Sequence, residues 1–147
     1  MKKATEKEIN YLDTIQFLHC RTEVWLSEID FIRIEQKFLQ ELLTEHIMGL
    51  CDAQEFTKGK LLLSGINHEI NFGNNLTKEI KDHKVNLALF LDNIYRNKEN
   101  DFRESNKYLK KEVQNYIDNF RNIKEQVFEL VLYIMKKEKN SKKEINT

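Results

Sequence analysis

The chain has no proline and only four glycines in 147 residues. An all-β fold needs many tight turns that draw on both residue types, so their scarcity argues for helices. Cysteine is also scarce, with only Cys20 and Cys51. On one continuous helix these would lie roughly 46 Å apart, whereas a disulfide needs Cα atoms within about 7 Å. An internal bridge is therefore disfavoured. With no CxxC pair to hold zinc, two free thiols fit a reducing compartment. Charge of one sign is missing as well: 24 Lys and Arg balance 24 Asp and Glu. No overall basic field draws in nucleic acid. No apolar run reaches the roughly 18 residues of a membrane span. The opening MKKATEKEIN lacks the apolar centre of a signal peptide. The expectation is a cytoplasmic protein that avoids membranes, with nucleic acid disfavoured as a partner.

Apolar residues make up 40% of the chain, including nine Phe and five Tyr. That suffices for one core in one domain spanning residues 1–147. Three long helical segments are expected, at about 5–49, 53–96 and 101–139. Asp101 is a candidate N-cap, and a frayed tail occupies about 140–147. Short connections set neighbours antiparallel. The fold class is thus all-α, an elongated antiparallel bundle of three long helices.

The third segment shows the clearest period. Leu109, Val113, Tyr116, Phe120, Ile123, Val127, Leu130 and Ile134 alternate spacings of four and three, a heptad seam. In the second segment Leu62, Ile66, Glu69, Gly73, Leu76, Ile80, His83 and Leu87 form the seam. It crosses the GNN at 73–75 in phase, which predicts one continuous helix. In the first segment Val24, Trp25, Phe31, Ile32, Phe38, Leu39, Leu42 and Leu43 make a wide apolar face. Ile9, Leu12, Ile15 and Leu18 point about 100° away from it. A kink or a split of the first helix near residues 19–22 would reconcile the two. The split, with Thr22 as N-cap, gives a four-helix bundle as the alternative.

Some polar residues fall on these faces. Measured from Val24 at 100° per residue, Glu28, Glu35 and His46 sit at about 40°, 20° and 40°, inside the wide face. Glu69 and His83 sit on the second seam. A buried carboxylate must be paired, protonated or bound to a cation. With turns centred on residues 51 and 99, Glu28 is expected level with Lys124 and in contact with it. Asn67, Tyr116 and Tyr133 are further donors for a polar layer that fixes helix register. The rival reading makes Glu28, Glu35, Glu69, His46 and His83 ligands of iron, manganese or zinc. Its weakness is spacing, because bundle di-metal sites use Glu-x-x-His and no His here has a Glu three residues before it.

No catalytic constellation or cofactor motif stands out. Alternating heptads match too many helical proteins to single out a family. The excess apolar width of the first helix points to a non-enzymatic helical interaction module: an adaptor, a chaperone-like binder or a self-associating bundle. Its partner would be another protein or a second copy. The alternative is a metal-binding bundle with a carboxylate-rich internal site.

Overall fold

In the computed structural model the described residues are 6–48, 53–91 and 99–145, with side chains described over 15–48, 53–90 and 101–140. Three helices account for nearly all of them: α1 (Glu6–Ile47), α2 (Ala53–Leu91) and α3 (Glu99–Ile145). No strand occurs among the described residues, so the all-α expectation holds. The helices fall into two compact units. The first joins α1 up to Asp30, α2 from Gly73 and α3 up to Asn115; the second joins the remaining parts of the same three helices.

Helix α1 runs through residues 19–22 without a break. The expected kink or split, and with it the four-helix alternative, therefore gives way to one helix. The reason lies in phase. The buried positions are Ile15, Thr22, Trp25, Ile29, Ile32, Gln36, Leu39, Leu43 and Ile47. From Thr22 to Leu43 the spacings alternate three and four, one heptad seam once polar Thr22 and Gln36 are admitted to it, with Ile15 one heptad before and Ile47 one residue past the strict alternation. Thr22 is no N-cap; its hydroxyl donates to the His19 carbonyl at 2.5 Å, inside the helix. Val24, Phe31 and Phe38, taken as part of the inward face, are exposed.

The other two seams lie where the period puts them. All eight α2 positions named above are buried, Gly73 included, and the GNN segment stays helical. The Thr77 hydroxyl returns to the Gly73 carbonyl at 2.8 Å. On α3, seven of the eight seam residues are buried and Ile123 is half-buried. Helix boundaries differ from expectation. Asp101 lies inside α3 instead of capping it, and α3 continues past Lys139 to Ile145.

In the second unit α2 and α3 run antiparallel. Gly59 meets Leu130, Gly65 meets Ile123 and Phe72 meets Tyr116, so each step back along α2 is a step forward along α3. Between α1 and α2 the pairs Gln40–Asn67 and Ile47–Gly59 give the same antiparallel sense. Gly59 makes room for the Ile47 side chain: an added Cβ would sit 2.8 Å from Ile47 Cγ1. The first unit has its own cluster of Ile15, Leu87, Phe90 and Phe102, with Leu18 against it. There the Phe90 and Phe102 rings meet edge to face, centroids 5.2 Å apart.

The expected levels were off by several residues, for two reasons. A turn about residue 99 would set Glu69 level with Glu129, yet it meets Asn119. The pairs Gly59–Leu130, Gly65–Ile123 and Phe72–Tyr116 are likewise level about a midpoint near residue 94, not 99. Between α1 and α2, Gln40 reaches Asn67 where Leu62 was expected. Side chains lean toward the N-terminus of their own helix, so touching residues of an antiparallel pair are displaced along both axes.

Candidate functional site

The second unit holds a buried polar layer contributed by all three helices. Gln36 comes from α1, Glu69 from α2 and Tyr116 from α3, and Asn119, exposed on α3, reaches Glu69 from the rim. The Tyr116 hydroxyl donates to Gln36 Oε1 at 3.1 Å, and its ring stacks on Phe72 with centroids 6.1 Å apart. Gln36 and Tyr116 are fully buried and Glu69 is 8% exposed. Burial pushes the Glu69 carboxyl above its usual range, while His68 and a hydrogen bond from the Asn119 side chain pull the other way. Burial also raises the Tyr116 phenol; Gln36 and Arg33 oppose this and Glu69 adds to it. Two buried atoms in the layer have no hydrogen-bond partner, Glu69 Oε2 and Gln36 Nε2. One accepts and the other donates, so the layer is incompletely satisfied at its centre.

The five residues singled out as metal ligands are not gathered together. Glu28 and His83 belong to the first unit; Glu35, His46 and Glu69 belong to the second. Glu28 is exposed, contrary to its expected inward placement, because the true α1 seam is phased on Ile29 and Gln36 and leaves Glu28 on the outer flank. The expected Glu28–Lys124 contact gives way to another. Lys124 Nζ donates to Glu35 Oε2 at 2.5 Å, with both side chains about one-third exposed. His46 is half-buried in the last turn of α1. Among the described residues, no three His, Cys, Asp or Glu side chains are placed to share a metal ion. Of the other proposed donors, Tyr116 is in the layer. Asn67 is exposed, accepting from Gln40 at 2.6 Å, and Tyr133 is exposed too.

His83 has a separate setting in the first unit. It is buried beside Asn106, whose Nδ2 lies 3.3 Å from His83 Nε2. Burial lowers its pKa, so the neutral ring accepts from the amide. It opens onto a groove between α2 and α3 that Glu79, Asp82 and Glu104 also line.

A second kind of feature is apolar. Helix α1 turns Phe31, Ile34 and Phe38 to solvent in the second unit, 65%, 70% and 57% exposed. In the first unit it exposes Phe17 and Val24. Residues 17, 24, 31 and 38 are seven apart, so α1 carries an outward stripe with the same period as its inward seam. Cys20 is free and exposed, while Cys51 lies outside the described residues. Among the described residues no helix is long and apolar enough to cross a membrane.

Sequence reading missed Gln36, Asn119 and Asn106. Gln36 had a usable signal, since it falls on the heptad that joins Ile15, Trp25, Ile29 and Ile32. Asn106 had one too, since it lies four residues after Phe102 and three before Leu109 on the α3 seam; Asn119 had none, because it flanks that seam and is recruited only by the neighbouring helix. Compared with protein-family models, with curated proteins and with solved structures, the chain finds no match in any of the three.

Proposed function

We propose that the protein is a non-enzymatic helical interaction module of the cytoplasm. The observation that carries this reading is the outward apolar stripe Phe31, Ile34 and Phe38 on a helix whose other face already fills a core. Isolated exposed apolar residues are common on protein surfaces and need no explanation. Three at helical spacing, two of them aromatic, form a contiguous ridge of the kind that docks a partner. In this reading the Gln36–Tyr116–Glu69 layer fixes which helix faces sit inward, and so keeps the stripe outward.

The test replaces Phe38 with the photo-cross-linker p-benzoylphenylalanine in the full chain, in the cell. A discrete adduct at position 38, lost when Ile34→Ser is added, supports the module. An adduct pattern that matches the one from the same probe at exposed Lys81 contradicts it.

A further inference from the structure

We propose that the outward face of α1 in the second unit receives a basic amphipathic helix of a partner protein. Its apolar side chains would rest on Phe31, Ile34 and Phe38, and a Lys or Arg would reach the groove at Glu41 and Glu45. This rests on the interaction-module reading above. The anchors fall at i, i+3 and i+7, the pattern by which one helix face reads another. At 100° per residue they lie within about 60° of each other around α1. The charged residues flanking them in this unit are acidic. Glu45 is about 15° from the centre of the stripe, Glu41 about 55° and Glu35 about 65°. Lys37, the nearest Lys or Arg of α1 in the unit, lies about 95° away, and His46 lies about 85° away on the other side.

Glu35 is already engaged by Lys124. Glu41 and Glu45 are exposed, and among the described residues they have no ion-pair partner. Both line an open groove of about 570 Å³ between α1 and α2. The Gln40 to Asn67 hydrogen bond bridges the two helices at this groove, and Leu63 adds an apolar wall. An aliphatic stem with a cationic head suits such a groove, because the stem covers apolar wall while the head meets the carboxylates. A second copy presenting this same face would set Glu41 and Glu45 among their own counterparts, a like-charge arrangement that disfavours pairing. An anionic lipid surface would be repelled on the same ground.

The test uses two synthetic 14-residue helical peptides with one Leu pattern, one carrying Lys at every polar position and the other Glu. Each is titrated against the full-length protein by fluorescence anisotropy. The Leu/Lys peptide should bind at least tenfold tighter than the Leu/Glu peptide. Phe38→Ser and, separately, Ile34→Ser should weaken it about tenfold with unchanged circular dichroism. Glu41→Gln with Glu45→Gln should erase most of the preference between peptides. Equal binding of both peptides, lost on Phe38→Ser, would overturn the cationic partner while leaving the module reading in place. Binding indifferent to Phe38 and Ile34, or no binding, would overturn this assignment. So would a dimer that Phe38→Ser dissolves, since the occupant would then be a second copy.

Discussion

Replacing Glu69 with Gln isolates the cost of a buried carboxylate in the second unit. Burial raises the folded-state pKa of Glu69 above its ordinary value of 4.5. A group shifted in this direction leaves stability intact below its unfolded pKa and removes it as pH rises through the folded pKa. Ionised Glu69 keeps its Asn119 bond but leaves Oε2 unpartnered and buried. An unsatisfied buried polar atom costs about 1–3 kcal/mol, more if charged. A Gln amide would leave its own Nε2 unpartnered there, so the gain comes from removing the buried charge, and with His68 offsetting part of that about 1–2 kcal/mol is expected. Glu69→Gln should therefore stabilise the protein by that amount at pH 7, a rise of roughly 3–8 °C in Tm for a chain of this size. At pH 4, below 4.5, the carboxyl is mostly protonated in both states and the advantage should nearly vanish. Urea denaturation of both proteins from pH 4 to pH 8 measures the difference directly. His83 titrates equally in the two proteins and cancels. A gain that does not vary with pH, or a Gln variant less stable at pH 7, would refute the reasoning.

Tyr116→Phe removes the donor to Gln36 Oε1 and should destabilise by about 1–2 kcal/mol, and adding Gln36→Leu should recover most of the loss, read by the same denaturation. Gly59→Ala should lower Tm by a few degrees, because its Cβ would press on Ile47 at 2.8 Å; Gly65→Ala should raise stability by about 0.5–1 kcal/mol, because its Cβ would meet only Ile123 Cδ1 at an ordinary 3.7 Å. His83 has a lowered folded-state pKa, so stability should fall as pH drops below its unfolded value near 6.5, and His83→Gln should flatten that limb of the stability profile. Lys124→Ala should cost no more than about 1 kcal/mol, because its ion pair with Glu35 is partly open to solvent.

The sequence reveals most of this fold because period survives in it. On α3 the apolar residues alone trace the seam, and on α2 they do so even across Gly73. On α1 they mislead. Two seam positions are polar, Thr22 and Gln36, while Val24, Phe31 and Phe38 are apolar and face outward. A reader who follows hydrophobicity phases the helix on the wrong stripe, by about 100°. That single error moves Glu28 and Glu35 inward on paper and invents a break near residue 20. Of the candidate site, Glu69 and His83 were legible because α2 was phased correctly. Their pairing with Asn119 and Asn106 was not, because helix-to-helix level depends on where the chain reverses and how side chains lean.

The claim on which the function rests is that Phe38 is covered in the cell although it is bare on the isolated chain. With Cys20→Ser and Cys51→Ser, a Glu41→Cys protein, which places the thiol one turn from Phe38 and leaves the three apolar anchors intact, can be alkylated by a small membrane-permeant maleimide in the cell and after purification. A matched Lys81→Cys protein serves as reference. Alkylation at position 41 should be at least tenfold slower in the cell than in the purified protein, relative to position 81. Equal ratios in the two settings would contradict the claim.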